Sequence, residues 1–241
     1  MMCGIVGIFL KTKKFEKNLG KMLSGMLNNM ESRGPDSAGF AIYKKEEQKI
    51  FKYSLCIGNL EFNKFKKEIL KKIKKSKLNQ YSDHVILKTS IEPKTVIKII
   101  DNSFPEISLV GYGNSIEIFK QVGNPKDVVK KFKLDSFSGT HGIGHTRMAT
   151  ESAITTDGSH PYSTGKDECL VHNGSLSNHN NLRRELVKKG NIFNSENDTE
   201  VAAGYVSNSL LNKKSLKDTL VSGLKDLDGF YTFITGTKKG F

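Results

Sequence analysis

Cys3-Gly4-Ile5-Val6-Gly7-Ile8-Phe9-Leu10 puts a cysteine near the start of the chain, at the head of an apolar run that stretches from Ile5 to Leu10 and breaks at Lys11. A run of this length reads as a strand buried on both faces. Cys3 also carries chemistry. If Met1 and Met2 are removed, it becomes the first residue and bears a thiol and a free α-amine together. An α-amine titrates near roughly 7.7 to 8 and a free thiol at about 8.5, so the amine can serve as general base to its own thiol near neutrality. Trimming of a first methionine favours a small second residue, which makes processing of Met-Met a condition of this reading. The alternative is a small buried residue in a first strand.

Working outward, Leu19, Met22, Leu23, Met26, Leu27 and Met30 recur at helical spacing up to Ser32-Arg33-Gly34-Pro35, where proline stops the helix. Gly39 to Tyr43 and Ile50 to Leu55 read as strands joined by Lys44-Lys45-Glu46-Glu47. From about 58 to 133 a Lys-rich insertion, packed on the main domain, mixes strand-like runs (Val85 to Thr89, Ser115 to Phe119) with helix-like ones (Phe62 to Lys75, Lys126 to Phe132). In the last third, Gly142 to Thr150 is a strand ending in a loop, and Cys169 to Gly174 is a strand running into an Asn-Gly turn. A helix from Asn178 to Lys189 opens at Ser177 or Asn178 and closes at Gly190, another begins around Asn197-Asp198-Thr199, and Phe230 to Thr235 is a strand.

With 241 residues and 37% hydrophobic content, the chain reads as one soluble domain. No stretch is apolar for long enough to span a bilayer, and the run from Ile5 to Leu10 is too short for a secretory signal, so a cytoplasmic location is expected, without membrane attachment. The net charge is +13, yet only four of the 38 basic residues are arginine (Arg33, Arg147, Arg183, Arg184). A lysine excess without arginine or aromatic interleaving argues against a nucleic-acid partner and leaves an acidic protein surface as the better match. Three cysteines without CxxC pairing speak against a disulfide framework and a thiolate metal site. His141, His145, His160 and His172 lie on separate segments without metal-ligand spacing, so no metal is expected.

Five segments then occur in a telling order: Cys3-Gly4-Ile5-Val6-Gly7; Arg33-Gly34-Pro35-Asp36-Ser37-Ala38-Gly39; His145-Thr146-Arg147-Met148-Ala149-Thr150; His172-Asn173-Gly174; and Asn197-Asp198-Thr199-Glu200. Together they resemble the class II, N-terminal-nucleophile glutamine amidotransferases. The stretches Arg147 to Ala153 and Val171 to Asn180 look most similar to the amidotransferase subunits of glutamate-synthase-like enzymes, including the N-methylglutamate synthase type. Met148 and Glu151 stand where sugar-phosphate-transferring members carry tryptophan and histidine.

The resemblance implies an α+β fold over residues 3–241, a four-layer αββα sandwich of two mostly antiparallel sheets, and a C-terminus shorter than is usual in the family. It implies hydrolysis of L-glutamine to glutamate and ammonia through a thioester on Cys3. Asn173 and Gly174 would supply the oxyanion donors such a reaction needs. Arg147, with Thr150 nearby, would clamp the substrate carboxylate, Asp198 would hold the α-ammonium, and His160 would line the pocket. Arg33 and Asp36 would be structural neighbours of the nucleophile. Taken alone, Asn173-Gly174 is more often an ordinary turn, and Asp198 is equally a helix cap. No cofactor is expected in this chain; flavin and iron-sulfur centres would belong to glutamate-synthase-like partner subunits that receive the ammonia. A glutamine-binding scaffold without catalysis is the alternative.

Overall fold

Ser37-Ala38-Gly39-Phe40-Ala41-Ile42-Tyr43 is buried at all seven positions, because its alternate residues serve two different cores. Phe40 and Ile42 pack with Leu19, Leu23 and Leu27 on one side, while Ala41 and Tyr43 meet Ile116, Ile118 and Cys169 on the other. The computed structural model describes residues 3–149 and 153–241. In chain order the elements are β1 (Gly4–Phe9), α1 (Leu19–Asn29), β2 (Ser37–Tyr43), β3 (Phe51–Cys56), α2 (Phe62–Lys72), β4 (Lys77–Tyr81), β5 (His84–Thr89), α3 (Pro93–Ser103), β6 (Ser108–Gly113), β7 (Ile116–Val122), α4 (Pro125–Phe132), β8 (His141–Arg147), β9 (Tyr162–Gly165), β10 (Glu168–Leu176), α5 (His179–Lys188), α6 (Asp198–Leu211), α7 (Leu216–Asp226) and β11 (Gly229–Thr237).

One antiparallel sheet runs β1-β8-β2-β7 and a second runs β11-β10-β9. The first sheet is covered on its outer face by α1 and α4. The outer face of the second receives α6, through Leu170 and Leu176 against Ala202 and Val206. The inner faces stack on each other, with Tyr43 Oη 3.5 Å from Cys169 Sγ. This is the expected αββα order of layers.

The stretch from 58 to 133 does not stay together. A third antiparallel sheet, β4-β5-β3-β6, begins already at Phe51, before that stretch. It takes α2 and α3 on one face through Phe65, Ile69, Val96 and Ile100. Ile116 to Phe132, by contrast, returns to the main sandwich as β7 and α4, because Phe119, Val128, Val129 and Phe132 complete the core under α1. The lysines of α2 point to solvent, as its buried stripe of Phe65 and Ile69 requires.

β1 also departs from the sequence reading. It is an edge strand whose residues alternate between buried and half-buried up to Gly7, and Phe9 at its end is 50% exposed, so the apolar run is not buried on both faces throughout.

Asp167, in the turn between β9 and β10, joins the third sheet to the sandwich. Its buried carboxylate accepts from the backbone N–H groups of Asn114, Ser115 and Ile116 and from the Ser115 hydroxyl, at 2.7–3.1 Å. Asn114 in turn donates to Ile50 O at 2.6 Å. Asp167→Ala leaves three buried N–H groups unsatisfied and is expected to cost about 3 kcal/mol in urea unfolding. A loss under about 0.5 kcal/mol, the scale of an ordinary surface change, would contradict this account.

Candidate active site

The pairing of Gly4 with Thr146 brings the residue before β1 beside the residue after β8. The Cys3 thiol accordingly reaches Met148 O at 3.8 Å. The Arg33-Gly34-Pro35-Asp36 loop presses on the same place. A side chain at Gly34 would sit 2.4–2.6 Å from the Thr146 and Arg147 backbone, so only glycine allows the loop this close. Arg33 donates to Cys3 O at 3.4 Å. The Asp36 N–H donates to Arg147 O at 3.1 Å, and its carboxylate accepts from Ala149 N at 2.8 Å. From the second sheet, Asn173 Nδ2 donates to Cys3 O at 3.3 Å.

Asn173-Gly174 is not a turn. Both residues lie within β10, opposite Thr232 and Tyr231 of β11. Gly174 has φ +134°, and a Cβ there would meet Phe230 O at 2.1 Å. The glycine permits a backbone orientation that no other residue could adopt inside the ladder. Asn178, expected to cap α5, uses its side chain otherwise: it donates to Asp226 O and accepts from Asp228 N.

At α6 the cap is Asn197, whose side chain accepts from Thr199 N at 2.8 Å. Asp198 is thereby released from capping and points its carboxylate elsewhere. Oδ2 accepts from Leu176 N at 2.8 Å, and Oδ1 lies 3.6 Å from His172 Nδ1. Burial opposes ionisation of Asp198, but the hydrogen bond and charge of His172 and the Leu176 N–H outweigh it and hold the carboxyl below its usual range.

The Thr199 hydroxyl is the centre of a histidine cluster. His160 Nε2 and His172 Nδ1 each lie 2.8 Å from Thr199 Oγ1. The Thr199 hydroxyl itself donates to Asp198 Oδ1 at 3.4 Å, so its oxygen can accept from both rings. His145 Nε2–H donates to His172 O at 2.8 Å, and its ring stacks on His160 at 3.8 Å. Burial pushes His145 down to about 3 and His160 well below the ordinary imidazole range, so both rings are neutral at pH 7.

These elements surround a cleft of about 320 Å³ lined by Cys3, Arg147, His160, His172, Gly174 and Asp198, among others. Its size and polar lining suit a small charged molecule. Five of the residues singled out in the sequence therefore share one cavity wall. Asn173, Arg33 and Asp36 stand behind it as supports of Cys3 and of the loop after β8, and Thr150 lies outside the described residues. Thr199 and His145 were missed as site residues. Thr199 had a sequence signal, its place directly after Asp198 at the start of a helix. Among the described residues, one trio of metal-ligand type, Cys56, Asp83 and His84, lies within 4.8 Å, away from the cleft. Its carboxylate is already engaged by His84, Gln121 and Lys131.

Residues 135–234 match the glutamine amidotransferase domain. Over 243 aligned residues, 100% of this chain and 81% of the relative, the sequence is 47% identical to the glutamine amidotransferase-like protein GlxB of Rhizobium meliloti (strain 1021). The chain belongs to the glutamine amidotransferase family. Two solved structures share this amidotransferase's fold at 18% identity: the allosteric regulatory enzyme of purine biosynthesis (TM-score 0.54; 99% of this chain, 36% of that one) and glutamine phosphoribosylpyrophosphate amidotransferase from B. subtilis (TM-score 0.50; 98% and 35%). The sandwich is the N-terminal-nucleophile hydrolase fold expected for the amidotransferase. No helix among the described residues is long and apolar enough to cross a membrane.

The buried neutral histidines make a sign-definite prediction. His84, His141, His145 and His160 all have pKa values below the 6.5 of a free imidazole, with burial the leading cause. Between the folded and unfolded values the unfolded state binds more protons, so stability falls as pH drops below 6.5, for His145 down to about 3. The urea midpoint is expected to decline steadily from pH 7 to pH 4. A midpoint that stays level across that range would contradict the assignment.

Proposed function

We propose that the chain is a glutaminase subunit that hydrolyses L-glutamine to glutamate and ammonia through a thioester on Cys3. One observation carries the reading: the Cys3 thiol shares a cleft with a guanidinium, Arg147, and a carboxylate, Asp198. That pairing suits the carboxylate and α-ammonium of a free amino acid and places its side-chain amide toward the thiol. After removal of Met1 and Met2, the Cys3 α-amine takes the thiol proton and the thiolate attacks the amide carbon. The Gly174 N–H stabilises the oxyanion, joined by the Asn173 amide, one of whose two N–H groups donates to Cys3 O and leaves the other for the oxyanion. The tetrahedral adduct collapses as the α-ammonium returns its proton to the leaving nitrogen, which departs as ammonia. Water, activated by the same amine, then cleaves the thioester to release glutamate and regenerate the thiol.

The resemblance of Arg147 to Ala153 and of Val171 to Asn180 to glutamate-synthase-like amidotransferase subunits supports a partner of that class as the recipient of ammonia. On this reading flavin and iron-sulfur chemistry reside in the partner subunits, and the site of action is the cytoplasm. The alternative is a subunit that binds glutamine without cleaving it, which retention of Met1 and Met2 would favour.

Intact mass of the purified protein, before and after exposure to the glutamine analogue 6-diazo-5-oxonorleucine, tests the proposal. A mass lacking both methionines and gaining one adduct on Cys3 is expected, with glutamine protecting the thiol in the parent but not in Arg147→Ala. Retained methionines without an adduct would replace the catalytic reading with the scaffold one.

A further inference from the structure

β7 presents Ile116 and Ile118 to the space between the sheets, and the next residue on that face is a lysine. Lys120 is only 5% exposed and forms no ion pair among the described residues. An apolar side chain of similar length would fill this position without the cost of burying a cation. Burial pushes Lys120 down to about 8.

The ammonium meets backbone instead. Nζ donates to Asp157 O at 2.9 Å and to Ser159 O at 3.0 Å, and it lies 4.4 Å from the centroid of the Tyr162 ring. Both carbonyls belong to the loop that delivers His160 to the cleft. The loop is held from α6 as well, where Asn197 Nδ2 donates to Gly158 O at 3.0 Å. A second cavity of about 220 Å³, which shares no lining residue with the cleft, is lined by Lys120, Asp157, Tyr162 and Glu200 among others, so the loop has space to relax into if its hold is lost.

We propose that Lys120 is a positioning residue for the substrate cleft: its ammonium clasps the carbonyls of Asp157 and Ser159 and thereby fixes the His160 ring against Thr199 and His145. The proposal rests on the glutamine reading for its kinetic consequence but not for its structural one. Lys120 touches neither the cleft nor the reacting atoms, and it acts through the loop.

The test compares Lys120→Met, close in length and uncharged, with Lys120→Arg, which keeps two or more donors. Lys120→Met is expected to raise the glutamine KM about tenfold while kcat changes less than about threefold, with Lys120→Arg recovering most of the loss. In ¹⁵N-histidine-labelled protein, the ring signals of His160 and His145 move in Lys120→Met while those of His141, bonded to Thr237 O, stay in place. A parental KM together with unmoved His160 and His145 signals in Lys120→Met would overturn the proposal. If the parent protein neither binds nor hydrolyses glutamine, the functional reading fails and the ring signals alone decide on Lys120. Should Lys120→Met not fold, Lys120→Gln, which retains one donor, takes its place in both measurements.

Discussion

The antiparallel register that sets Gly4 against Thr146 is the constraint on which the site depends. A slip by one residue would turn every β1 side chain to the opposite face and carry Cys3 away from Met148. Several features hold the register. The α1 helix covers the outer face of the sheet, Gly34 lets its loop lie directly on the Thr146–Arg147 backbone, and Asp36 bonds on both sides of Met148. Cys3 is thus located by backbone pairing and by a loop, with few bonds to its own side chain.

The second sheet supplies the opposite wall by different means. Here a single threonine hydroxyl orders two imidazoles, and a third imidazole stacks behind them. Burial keeps His145 and His160 neutral, so these two rings act through fixed hydrogen bonds and stacking instead of charge. Arg147 and Asp198 are among the charged groups that line the cleft, and the Asn197 cap is what makes the Asp198 carboxylate available. Lys120 adds a buried cation whose partners are two carbonyls of the loop that carries His160.

The third sheet stands apart from this chemistry. It is tied in through Asp167 and through the buried Lys52 and Glu117, whose charged ends lie 3.7 Å apart at the junction with β7. Five of the chain's 34 lysines lie on its helix α2, all of them exposed and none lining the cleft.

The sequence by itself determined the local elements with strong periodicity, among them α1, β2 and the buried stripe of α2. The order of five short motifs pointed to the family and to five of the residues that line the cleft. It did so because these depend on residue type and spacing, which are local. Tertiary structure alone decided that β1 is an edge strand, since burial of an apolar run depends on what packs against it. It also decided that Asn173-Gly174 continues a strand, because pairing with β11 overrides the turn preference of the dipeptide. The third sheet was obscured for a similar reason: β4 is largely exposed and lacks a clean alternation, and its identity comes from pairing with β5. The roles of Thr199 and Lys120 arise from residues distant in sequence that meet only when the two sheets stack. Nothing near Lys120 in the sequence distinguishes it from the 33 other lysines of the chain.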